Sequence, residues 1–170
     1  MNESSKAAAA PSREITITRV FDAPVELVWK VWTEPEHFKK WWGPKDYVAP
    51  FAKLDLRVGG TYLNCMRSPE GQDFWTTGVF REVVPMERIV YTDSFSDEQG
   101  SVVPPTQYGF GADFPLELLV TVTFEELEGK TMLTLRHAGL PAGEKSDQTG
   151  AGWNESFDKL TEILGQLRGK

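Results

Sequence analysis

Apolar positions in this chain repeat with two different periods, and the order of those periods defines the elements. From Arg13 to Phe21, Ile15, Ile17 and Arg19 alternate with Glu14, Thr16 and Thr18, the period of a strand. The period then lengthens. Val25, Val28, Trp29 and Trp32 fall at i, i+3, i+4 and i+7, which is one face of a helix. Pro24 occupies the expected first helical position, where its missing N–H costs nothing. Thr33 and Glu36 form a T-x-x-E pattern that predicts a capping box opening a second short helix. Gly43-Pro44 ends that helix. Four of the six tryptophans lie between Thr18 and Pro44. So much aromatic bulk on a short helix pair requires a large apolar surface elsewhere in the chain.

A run of strands supplies it. Tyr47 to Leu56 is apolar but contains Pro50, which suits an edge or irregular strand. Val58-Gly59-Gly60 is a turn. Thr61 to Arg67 is a strand, and Ser68 to Gly71 turns the chain into the next, Phe74 to Val84. Gly78 within that strand predicts a bulge or a close backbone approach. Ile89 to Phe95 follows the tight connection at 85–88. Ser96 to Asp113 is a Gly/Pro-rich connection, long for a compact domain and expected to be a mobile loop. Pro115 to Phe124 alternates Leu116, Leu118, Val120, Val122 and Phe124 against Glu117, Leu119, Thr121 and Thr123. Glu128-Gly-Lys130 turns into a last strand, Thr131 to His137. The helical period then returns. Trp153, Phe157, Leu160, Leu164 and Leu167 form a stripe, with Asp147 as the expected N-cap.

Strands bracketed by helices predict an α+β fold with an antiparallel sheet of about seven strands. A helix over 147–168 is about 33 Å long. Seven strands span roughly 29 Å. The final helix can therefore lie across the whole concave face of a curved sheet.

Composition narrows the function classes. Residues 1–12 read as a disordered leader, and 13–170 as one domain. The formal charge of −7 argues against nucleic acid, which needs a clustered basic face. Cys65 is the only cysteine, so no internal disulfide can form. That suits a cytoplasmic protein. No apolar run approaches the ~20 residues of a membrane span, and MNESSKAAAAPS lacks the apolar core of a signal peptide.

Several separate segments resemble one family. FDAPVELVWKVWTEPEHFKKWWGP, DLRVGG, GVFREVVPMERIVYT and the terminal GW…F..L..IL occur in the order found in the activator of heat-shock-protein-ninety ATPase homologue-like family. That family lies within the START/polyketide-cyclase (SRPBCC) superfamily. The resemblance spans about residues 13–168. It implies the helix-grip fold of the birch-pollen allergen: a strongly bent antiparallel sheet gripping the C-terminal helix, with an internal cavity. It further implies that Trp29 and Trp41-Trp42-Gly43-Pro44 pack the short helices onto the sheet. Arg57 and Gly59-Gly60 would shape a hairpin, and Trp153 would anchor the last helix. Members of the superfamily bind apolar small molecules, cyclise polyketides or partner chaperones, so membership alone leaves the function open. The connection at 96–113 is longer and richer in Gly and Pro than the family leads one to expect.

The search for chemistry finds little. There is no H-E-x-x-H, C-x-x-C, G-x-S-x-G, P-loop or dinucleotide fingerprint, and no cofactor is expected. His37 reads as a helix-surface residue. Cys65 reads as a small buried hydrophobe. Asp73, Glu82, Asp93 and Glu98 lie near strand ends. Arg57, Arg67 and Arg136 would need a partner if they faced an apolar interior. The aromatic residues Trp75, Phe80, Tyr91, Phe95, Tyr108 and Phe110, with His137, Trp153 and Phe157, suffice to line a pocket. The alternative is that the same rings fill the core. The leading expectation is non-enzymatic binding of a hydrophobic or aromatic small molecule between sheet and last helix, by a monomer or homodimer. Tyr108 and Phe110 would gate it. A chaperone partner is one alternative. Another is a cyclase or hydrolase using Asp73 or Glu98 with His137.

Overall fold

A computed structural model describes residues 12–141 and 143–168. Residues 1–11, most of the expected leader, lie outside the described residues, and Ser12 already belongs to the first strand. The order is β1 (Ser12–Phe21), α1 (Val25–Thr33), α2 (Pro35–Phe38), β2 (Val48–Leu54), β3 (Thr61–Arg67), β4 (Asp73–Val84), β5 (Arg88–Ser96), β6 (Leu118–Leu127), β7 (Lys130–Pro141) and α3 (Glu144–Arg168). The seven strands form one antiparallel sheet in the order β1-β7-β6-β5-β4-β3-β2. From β2 to β7 each strand pairs with its sequence neighbours. β1 instead closes on β7, because α1 and α2 carry the chain from one edge of the sheet to the other.

The sheet curls around α3. Phe157, Leu160 and Leu164, spaced as the sequence pattern requires, are the most deeply buried residues of that helix. They join Phe21, Val28, Trp32, Trp41, Leu133 and Leu135 in one core. Phe157 meets Phe21 edge-on at 5.8 Å and 82°. Arg19 of β1 ties the same helix from outside, donating to Asp158 Oδ1 at 2.9 Å with its guanidinium over the Phe157 ring. The other anchor lies beyond α2. Ser156 Oγ donates to the Gly43 carbonyl at 2.7 Å and accepts from the Gly43 N–H at 3.0 Å. Lys159 Nζ donates to the Pro44 and Tyr47 carbonyls.

Local chemistry departs from expectation at three places. The predicted capping box does not form. Thr33 is the last residue of α1, and its hydroxyl donates back to the Trp29 carbonyl at 2.8 Å. Glu34 precedes α2 without a side-chain cap, and Pro35 takes the first helical position. α3 begins at Glu144, three residues before Asp147, whose N–H donates to the Gly143 carbonyl. The 97–117 connection is not structureless. It carries a bridge between Ser96 and Val102 and a 3₁₀ turn over Pro105–Tyr108. Gly78 conforms to expectation. A Cβ there would run into the Thr92 carbonyl oxygen on β5 and the Tyr62 ring, so glycine lets β4 and β5 meet closely.

Candidate functional site

Parity along the strands decides what faces the concave side. Asn64 of β3 pairs with Thr76 of β4, which pairs with Phe95 of β5. These three stand in one row. Tyr91 and Asp93 share the parity of Phe95 on β5. Leu118 of β6 pairs with Asp93, and His137 of β7 pairs with Val120. Between this surface and the first turns of α3 lies a cavity of about 490 Å³. Its floor is Thr76, Asp93, Phe95, Leu118 and His137. One side is Gly152, Trp153 and Ser156 of α3, with Trp42, Pro44 and Tyr47 beside them. The opposite side is Phe110, Phe114 and Leu116 from the long connection. A second chamber of about 60 Å³ adjoins it, with Trp42, Thr76, Asp93 and Trp153 common to both.

The structure thus divides the candidate residues. Phe95, Phe110, His137 and Trp153 line the large chamber. Phe80 and Tyr91 line the small one. Tyr108 lines neither. Its hydroxyl donates to the Ser96 carbonyl at 2.6 Å and its ring packs on Phe95 at 5.2 Å, so it braces the wall from behind. Phe157 is wholly buried in the core. Trp75 lies on the other face of β4 from Thr76, against Phe51 at 5.7 Å. The cavity between sheet and helix lies at the first turns of α3, because Phe157, Leu160 and Leu164 fill the space further on.

The ring wall is continuous. Phe110 stacks on Phe95 at 4.8 Å and 26°, and Phe114 touches both. Offset stacking of this kind presents apolar faces and edges suited to a further ring.

A polar chain crosses between the chambers. Trp153 Nε1 donates to His137 Nδ1 at 3.1 Å. That nitrogen is therefore the acceptor, and the imidazole proton sits on Nε2. Nε2 lies 3.2 Å from Asp93 Oδ2, close but not aligned as a hydrogen bond. Tyr62 Oη lies 2.9 Å from the Thr92 carbonyl and 3.1 Å from Asp93 Oδ1, and shares its one proton between them. Burial, reinforced by the Asp93 charge, pushes the Tyr62 phenol well above its ordinary value, and Tyr91 likewise. Both phenols stay neutral.

The acids proposed for catalysis do not meet His137. Asp73 is held by Arg67 at 2.7 and 3.2 Å, which lowers its pKa, and Glu98 is exposed in a turn. Asp93, one of four strand-end acids noted in the sequence, is the carboxylate facing that ring. Arg57 and Arg67 are exposed and paired with Asp55 and Asp73, and Arg136 is exposed. Among the described residues, no lysine or arginine lines either chamber. Nor do any three or more His, Cys, Asp or Glu side chains form a group able to hold a metal ion. No described helix is long and apolar enough to cross a membrane.

A curled seven-strand antiparallel sheet closed over a long C-terminal helix, with two short helices after the first strand, is the helix-grip fold, and the cavity sits in its grip. Solved structures share it. A protein from Nitrosomonas europaea superposes with a TM-score of 0.75 at 27% identity, covering 92% of this chain and 97% of its own. One from Chromobacterium violaceum gives 0.72 at 29%, covering 89% and 96%. One from Arthrobacter aurescens gives 0.73 at 26%, covering 90% and 86%. Residues 22–165 match the family described as activator of Hsp90 ATPase homolog 1-like protein, and the chain belongs to that family. The comparison with curated proteins found no match.

Proposed function

We propose that this protein binds a small apolar, ring-bearing molecule in the large chamber, without covalent chemistry. The observation that carries the reading is the 490 Å³ cavity walled by Phe95, Phe110, Phe114 and Trp153. That volume falls in the range of small-molecule sites, which are mostly apolar with a few polar groups. Burying about 300 Å² of apolar ligand contributes roughly 7 kcal/mol at ~25 cal/mol per Å². Association costs of about 4 kcal/mol or more leave roughly 3 kcal/mol or less of this, so simple probes bind with dissociation constants of several millimolar or weaker. Phe110 serves as the gate. Phe114 takes the part expected of Tyr108, whose hydroxyl is tied to β5.

Fluorescence titration with the neutral dye N-phenyl-1-naphthylamine tests this. Saturable enhancement is expected in the wild type. Ala151 is exposed on α3 and lines the cavity, so Ala151→Trp should weaken the dye at least about tenfold while leaving the melting temperature unchanged. A flat titration, or equal affinity in the variant, refutes the reading. The family description supports one alternative, activation of an Hsp90 ATPase. Stimulation of that ATPase by the wild type and by Ala151→Trp alike would favour it.

A further inference from the structure

The small chamber is apolar in most of its wall, yet it is bordered by three buried polar groups with no hydrogen-bond partner among the described residues. They are the indole Nε1–H of Trp32, Oδ1 of Asn64 and Oγ1 of Thr76. All three residues are at least nine-tenths buried, with 5%, 7% and 9% of their surfaces exposed. A buried polar group left unpaired costs about 1–3 kcal/mol, so three at one place is a large cumulative penalty. The neighbours make the contrast plain. Trp41 Nε1 donates to the Val31 carbonyl at 3.0 Å, and Trp153 Nε1 to His137. Tyr62 Oη, in the same chamber wall, is also satisfied. Asn64 and Thr76 are cross-strand partners on the concave row, and Trp32 stacks on Trp153 at 6.1 Å and 17°.

We infer that the small chamber is a subsite for a neutral hydroxyl group on a ligand whose apolar body occupies the large chamber; this rests on the proposed cavity function. A hydroxyl both accepts and donates. It can accept from the Trp32 N–H and donate to Asn64 Oδ1, with the Thr76 hydroxyl serving in either sense. The shared residues Trp42, Thr76, Asp93 and Trp153 set the two chambers side by side, and the proposed ligand lies across them. Charge sets the class further. Asp93 borders both chambers and Glu155 the larger, with no lysine or arginine on either wall among the described residues. A carboxylate on the ligand would meet the like charge of Asp93 and Glu155 and, among the described lining residues, no cation, so the class is a phenol or alcohol rather than an acid.

The test compares three probes of one shape by ¹H–¹⁵N NMR titration of the full chain: p-cresol, toluene and p-toluate. Cresol should bind about tenfold more tightly than toluene, and toluate more weakly than either. The Trp32 indole N–H signal, assigned by its loss in Trp32→Phe, should move with cresol and not with toluene. Asn64→Leu, at a residue that borders the small chamber alone, should cut the cresol preference to about twofold; Thr76→Val, which is close to isosteric, provides a second check. Equal affinities for cresol and toluene, with the Trp32 signal still, overturn the subsite and leave the chamber to water, while the cavity reading stands. If none of the probes binds, the cavity reading falls and the subsite with it.

Discussion

Replacing Phe157 by alanine probes the grip of sheet on helix. Its ring has no exposed surface. It meets Phe21 edge-on at 5.8 Å, Trp153 at 5.7 Å, and Trp32 and Trp41 at 6.4 and 6.3 Å. Truncating a buried phenylalanine costs about 3–5 kcal/mol in lost transfer energy and cavity formation. The edge-on pair with Phe21 adds about 0.5–1.5 kcal/mol beyond area. The rings around it are large and belong to four different segments, so they cannot collapse together into the gap. A loss of about 4 kcal/mol is therefore expected, a large part of the usual 5–15 kcal/mol. For a chain of this size it lowers the melting temperature by roughly 2–4 °C per kcal/mol, about 8–16 °C in all. Urea unfolding followed by tryptophan fluorescence should show a lower midpoint at unchanged slope. Trp75→Ala on the outer face, where the ring is partly exposed against Phe51, should cost about 1.5 kcal/mol or less. A Phe157→Ala cost below about 1 kcal/mol would refute the placement of α3 inside the curl.

Other consequences are equally direct. Gly78→Ala should destabilise by about 3 kcal/mol or more, measured by urea midpoint, because its Cβ would run into the Thr92 carbonyl oxygen. Burial, with the Asp73 charge second, raises the Cys65 thiol to about 11. Its iodoacetamide alkylation at pH 8 should therefore run at least about 100-fold slower than that of an ordinary thiol; a rate equal to a free thiol would contradict its burial. Tyr62 and Tyr91 have folded-state pKa values above their unfolded value near 10. Their contribution to stability is complete below pH 10 and lost as pH rises above it, since the unfolded chain releases those protons first. Melting temperature should fall above about pH 10, less steeply in Tyr91→Phe, and phenolate absorbance should appear for these two residues only with unfolding.

Strand and helix positions were legible because one-sided burial imposes a period. β3 agrees with its expected limits, and the buried stripe of α3 follows the predicted spacing. Boundaries governed by competing local bonds were less so. Thr33 could cap forward or bond back, and with Pro35 already opening α2, the Trp29 carbonyl captured its hydroxyl. The site was legible only in part. Alternation fixes which residues share a face but not which face is inside. Trp75 and Phe80 differ by an odd number of positions before the irregularity between Phe80 and Glu82, so they could not both line the concave side. That spacing was available in the sequence. Trp153 and Phe157 share a helix face, yet one reaches the cavity and the other fills the core, because depth along the sheet varies with the curl. Asn64, Thr76 and Trp32 carry no motif. Only the fold brings their polar atoms to one chamber.

The most direct test of the cavity account is a set of intermolecular NOEs between isotope-labelled protein and bound p-cresol. The account predicts contacts to Phe95, Phe110, Leu118 and Trp153, and none to Phe51 or Trp75. Contacts confined to the outer face of β2 to β4, or to a surface away from these four side chains, would contradict it.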